Sequence, residues 1–227
     1  MNNAPFQSYN EQLHNLTQSI VTMGKLVKDM LEAAGKSLSA KDDALREQVK
    51  EWDRQVNALD RSLSEQATNM LAFRSPMGDD LRFITSALGI ASDLERSGDL
   101  AKNITKRSLK LGEYTPEKVL VALHSMVDVV MNMLGDALTA IETRNAELAI
   151  DVWKRDKKVD DFYHDILRVL QEEMHQHPEA IESATHFLLA TKNFERIADY
   201  ATSLARTVHY VVTGTPPSKE ILKASKE

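Results

Sequence analysis

Glu95, Arg96, Asp99 and Ala101 recur as Glu195, Arg196, Asp199 and Ala201, inside the segments DLERSGDLAKNI at 93–104 and NFERIADYATSL at 193–204. In a helix, residues four apart are neighbours, so each Glu–Asp pair sets two carboxylates side by side at a cost of about 0.2–0.5 kcal/mol. A cation held between them would reverse that cost. Sites built only from oxygen suit hard cations such as Mg²⁺, Mn²⁺ and Ca²⁺, and also iron. At about 100° per residue, Glu95 lies roughly 20° around the helix from Leu88, and Glu195 stands in the same relation to Leu188. Both glutamates therefore border an apolar stripe, with Asp99 and Asp199 one turn on, at its edge.

A second set of oxygen donors accompanies each pair. Asp53 and Asn57 flank Val56, and 103 positions later Asp156 and Asp160 flank Val159. If the helices carrying these turns pack antiparallel, each half of the chain offers three or four oxygen donors at one level. The competing reading is a solvated charged face laced with Arg96, Arg196, Lys157 and Lys158, because exposed ion pairs are common and contribute little.

The elements that must hold these turns are long helices. Among 227 residues there are 8 Gly and 6 Pro, and such a composition favours helices with few breaks. Apolar periodicity predicts helices over about 9–38, 43–73, 79–111, 116–143, 146–174 and 178–213. Gly112 is expected to end the third, Thr115 to cap the fourth with Pro116 at its first position, Pro178 to open the sixth, and Gly214 to close it. Leu13, His14 and Met23 match Leu123, His124 and Met133 at an offset of 110. Together with the offsets of 103 and 100, this ordered set points to tandem duplication. The expected fold is all-α, with two similar three-helix bundles over 9–112 and 116–214, divided near Glu113 to Pro116, and a polar tail over 215–227.

Composition narrows the function further. A net charge of −6 with both signs interspersed argues against a nucleic-acid-coating surface. With no cysteine, disulfides and thiolate metal sites are out. The first twenty residues lack the apolar core of a signal peptide, and no unbroken run of about 18 apolar residues calls for a membrane span; a cytoplasmic protein is expected. No phosphate-cradling glycine loop and no nucleophile motif occur. Glu11-x-x-His14 and Glu172-x-x-His175 match the spacing of di-iron bundles, which leaves open a carboxylate-bridged di-metal oxidase or a metal-storage protein. Both lie near helix ends, and the duplication does not pair them.

The segments RSPMGDDLR at 74–82, DLERSGD at 93–99, WKRDKKVD at 153–160, NFERIAD at 193–199 and YVVTG at 210–214 resemble the PhoU family over roughly residues 9–214. The sequence departs from the family pattern at Ser97-Gly98 and Ile197-Ala198, which vary around an Ile-Gly pair, and at Asn57, where a second Asp can stand. The resemblance implies two three-helix bundles, dimerisation, metal binding at the E/D-x-x-x-D turns, and no enzymatic activity. It also implies a negative regulator that links the phosphate ABC transporter ATPase to the sensor histidine kinase of a two-component system. Such a protein meets the membrane only through those partners. By that resemblance the metal candidates are Asp53, Asn57, Glu95 and Asp99 in the first bundle, and Asp156, Asp160, Glu195 and Asp199 in the second. The ion would be Mg, Mn, Fe or Zn. Since Asn57 replaces one carboxylate, the second set is expected to bind the more tightly.

Overall fold

The computed structural model describes residues 8–40, 42–112 and 116–218. These residues form six α-helices and a 3-10 turn: α1 (Tyr9–Ser37), α2 (Asp43–Arg74), α3 (Gly78–Ser108), α4 (Glu117–Thr143), α5 (Ala146–Gln176), the turn Pro178–Ala180, and α6 (Ile181–Thr213). Local chemistry fixes several of the ends. Ser8 and Glu11 form a capping box at the start of α1. Asp42 caps α2 through the Leu45 amide, and Asn145 caps α5 through the amides of Glu147 and Leu148. Each places an oxygen on amides that have no partner inside the helix. Gly214 closes α6 at φ 74°, a left-handed conformation that favours glycine.

Three boundaries differ from the sequence reading. Helix α3 stops at Ser108 rather than at Leu111 before Gly112. The Thr105 and Ser108 hydroxyls donate to the carbonyls three residues back; such local bonds compete with the helical ladder and tighten its last turn. Pro116 stands at the N-cap of α4 rather than inside it, while Thr115 lies outside the described residues. Pro178 opens a 3-10 turn, and α6 itself begins at Ile181.

Helices α1, α2 and α3 pack on one another, as do α4, α5 and α6. The two bundles meet through α1 on α4 and α3 on α6, so a single apolar core runs through both. Helix α4 has the length and apolarity of a membrane span. Here that character serves packing, for Leu123, Met126, Val130, Met133, Leu134 and Ile141 are buried among its neighbours. Helices α1 and α4 run antiparallel and come close at two glycines. A Cβ on Gly24 would lie 2.2 Å from Leu138 Cδ2, and one on Gly35 would lie 3.1 Å from Val127 Cγ1. Gly24→Val should therefore destabilise the protein by about 1–3 kcal/mol through overpacking. Urea denaturation of the variant checks this, and an unchanged midpoint would contradict the close approach.

Polar contacts also cross between the bundles. Arg82 Nε donates to the Val211 carbonyl at 3.1 Å, Arg144 pairs with Asp80 at 3.3 Å, and the Arg144 guanidinium lies 5.1 Å from the centre of the Phe83 ring. The first of these ties α3 to α6, the helices that carry the Glu–Asp turns, and the other two tie α3 to the end of α4.

Candidate metal centre

In the first bundle the antiparallel pairing of α2 and α3 brings Asp53 opposite the turn that carries Glu95 and Asp99. The group between them is an ammonium. Lys102 Nζ donates to both carboxylate oxygens of Asp53 at 2.8 Å and to Asp99 Oδ1 at 2.6 Å. The Lys102 and Asp53 side chains are only 19% and 15% exposed, so this bridge is far less screened than a surface pair. Burial by itself would lower the Lys102 pKa, but its hydrogen bonds to Asp53 and Asp99 outweigh that, and the pKa is raised. Glu95 is pushed up as well, first by burial and then by Asp99, Asp60 and Asp53, with Lys102 opposing. Asn57 takes no part in the bridge; its amide donates back to the Asp53 carbonyl at 2.9 Å.

The second bundle repeats the backbone arrangement with a different occupant. Thr202 stands where Lys102 stands in the first, and its hydroxyl donates to Asp156 Oδ1 at 3.3 Å. Asp156 is raised by burial, then by Asp160, with Thr202 opposing and Glu195 adding to the rise. Asp199 is pushed up to about 6, first by burial and then by the charges of Glu195, Asp156 and Asp160, with Lys192 opposing. The four candidates thus feel one another across α5 and α6, as the duplication required. Their cationic relief is slight. Lys192 lies 2.7 Å from Glu195 Oε2 with its own side chain 46% exposed, and it also lies over the Tyr163 ring. Glu195 Oε2 is sealed from solvent, yet this contact lacks hydrogen-bond geometry. The contact is an ion pair that does not fully satisfy that oxygen.

The charged residues that would make these turns an ordinary solvated face do not bridge them. Arg96, Arg196, Lys157 and Lys158 are all exposed, and Lys158 lies over the Phe162 ring. Arg155, next to Asp156, pairs instead with Asp136 of α4.

The two clusters fit a metal unequally. Among the described residues, no three His, Asp or Glu side chains already stand as a ligand cage. In the second cluster the donors are carboxylates that repel one another, and Asp160 and Asp199 are exposed at its edge, with no ammonium among the described residues set between the two helices. In the first, a cation would have to displace Lys102. The E-x-x-H pairs do not form a shared centre, since Glu11, His14, Glu172 and His175 are all exposed and Glu11 is engaged in capping α1.

Sequence reading missed Lys102, Asp60, Lys192 and Thr202. A signal existed for the lysine: Glu95, Asp99 and Lys102 follow at spacings of four and three, which places them on one helix face. Asp60, seven residues after Asp53, shares its face in the same way.

Comparison with known proteins bears on the family and the fold. The family model described as PhoU domain matches residues 20–108 and 123–208, one stretch in each bundle. A phosphate-specific transport system accessory protein PhoU homolog of Caulobacter vibrioides is 37% identical over 92% of this chain and 91% of its own. Its Rhizobium meliloti counterpart is 35% identical over 94% and 90%. Among solved structures, PhoU from Pseudomonas aeruginosa superposes with a TM-score of 0.87 at 34% identity, over 92% of this chain and all of that one. The phosphate transport system regulatory protein PhoU from Streptococcus pneumoniae gives 0.86 at 30% identity, over 93% of this chain. With its repeated bundles and repeated carboxylate turns, this chain belongs to the PhoU family.

Proposed function

We propose that this protein is a non-enzymatic accessory regulator of high-affinity phosphate uptake. It works in the cytoplasm as a negative regulator, holding phosphate-starvation genes off and restraining uptake when phosphate is plentiful. Its partners are the ATPase of the phosphate ABC transporter and the sensor histidine kinase of the phosphate two-component system, and it acts as a homodimer. The observation that carries this reading is likeness over nearly the whole chain to accessory proteins of phosphate-specific transport.

The cation belongs to this reading as a regulatory or structural ligand of the second bundle. Asp156, Asp160, Glu195 and Asp199 would hold a hard divalent or iron-type ion. When bound, that ion supplies positive charge at a turn shared by α5 and α6, drawing the two helices together. No bond-making or bond-breaking step is assigned to it.

Deleting the gene should leave a phosphate-responsive promoter active in phosphate-rich medium, and the intact gene supplied in trans should restore repression. Reporter activity in the deletion strain checks this, and repression that persists without the protein would contradict the regulatory role.

A further inference from the structure

We propose that Lys102 is a built-in cation that takes the place of a metal ion in the first bundle, so that cation loading is confined to the second. This rests on the reading of the second cluster as a cation site, and adds to it the residue that decides which bundle is loaded.

The geometry is that of a substituted ligand. Three contacts of 2.6–2.8 Å join one ammonium to carboxylates on two different helices, Asp53 of α2 and Asp99 of α3. A bridging divalent ion would make the same kind of link, joining the same two helices through the same oxygens. The ammonium is already tethered to α3 and offsets one negative charge where Asp53 and Asp99 meet, and an incoming ion must first expel it. Asn57 weakens the case for an ion further, because its amide is turned onto the Asp53 carbonyl and contributes no charge.

The second bundle lacks both devices. The counterpart of Lys102 is Thr202, a neutral hydroxyl that satisfies one oxygen of Asp156, and the counterpart of Asn57 is Asp160. Each half does carry one lysine beside its cluster, but the two do different things. Lys102 bridges α2 and α3 at 19% exposure. Lys192, whose counterpart in the first half is Ser92, pairs with Glu195 on its own helix at 46% exposure; across the gap it meets the Tyr163 ring of α5 rather than a carboxylate. A duplicated fold has thus kept two copies of the carboxylate turn and closed one of them with its own side chain. The result is one bundle whose carboxylates are joined across two helices by its own ammonium, and one whose carboxylates are joined across α5 and α6 by a cation only when an external ion binds.

The test counts Mn²⁺ retained by metal-stripped protein after equilibrium dialysis, in wild type, Asp53→Asn, Asp199→Asn, Lys102→Thr and the double variant Lys102→Thr/Asp53→Asn. Wild type and Asp53→Asn should retain equal Mn²⁺, and Asp199→Asn should bind at least tenfold more weakly. Lys102→Thr should gain Mn²⁺ beyond wild type, and the added Asp53→Asn change should abolish the gain. The inference is overturned if Asp53→Asn lowers the Mn²⁺ bound by wild type, or if helical Lys102→Thr protein gains none. Should Lys102→Thr fail to fold, Asp53→Asn in the wild-type background still decides. If wild type binds no Mn²⁺, the second-bundle reading falls by itself; the lysine inference then stands if Lys102→Thr gains an Asp53-dependent site and falls if it does not.

Discussion

Glu195→Ala should abolish the tightest Mn²⁺ binding of the metal-stripped protein, whereas Glu95→Ala should leave it intact. The expectation follows from charge. The second cluster sets four carboxylates against a lysine that reaches only one of them. In the first, Asp53 and Asp99 already share the Lys102 ammonium. Carboxylate count is a principal lever on the affinity of hard cations, and each tenfold loss corresponds to about 1.4 kcal/mol. Removing Glu195 also removes a donor that the bundle largely encloses, at 14% exposure. Titration calorimetry on the two variants gives the comparison. Loss of the tight site in Glu95→Ala with its retention in Glu195→Ala would show that the charge argument assigns the wrong bundle.

The second large effect is on stability, and it depends on pH. An ion that binds only the folded protein stabilises it by about 2.7 kcal/mol at a hundred times its Kd, so Mn²⁺ should raise the melting temperature of the stripped protein by several degrees. Asp199 sets the sign of the pH dependence. Its folded pKa, about 6, lies above the ordinary value of 3.8, so the folded state holds this proton more tightly than the unfolded state does. That contribution is fully present below the unfolded pKa and is lost as pH rises through about 6. Stripped wild type should therefore lose more stability between pH 5 and pH 7.5 than stripped Asp199→Asn. The difference falls short of what the full shift would give, because Asp199 is exposed and solvent screens its neighbours. Mn²⁺ should stabilise more at pH 7.5 than at pH 5, because the ion competes with that proton. A steeper pH dependence in Asp199→Asn than in wild type would contradict the crowding of carboxylates around this residue.

Much of the architecture is legible in the sequence because helices announce themselves through apolar spacing. Met23 and Met133, matched at an offset of 110, are both fully buried, each in the first helix of its bundle. The Glu–Asp turns were legible for the same reason, since repetition at fixed offsets survives where single charged pairs mean nothing. What spacing does not report is which side chain fills a gap between two helices. Lys102 reads as one more basic residue in a charged helix, and only its contact with Asp53, 49 positions earlier, shows that it closes the first cluster. Helix ends were the other weak point. The hydroxyls of Thr105 and Ser108 shorten α3 in a way that apolar periodicity does not register.

The most direct measurement is anomalous diffraction from crystals of the wild-type protein soaked in Mn²⁺. The account predicts a manganese peak bounded by Asp156, Glu195 and Asp199, with Lys102 still bridging Asp53 and Asp99 in the first bundle. A peak between Asp53 and Asp99 with Lys102 displaced, or no peak at the second cluster, would contradict it.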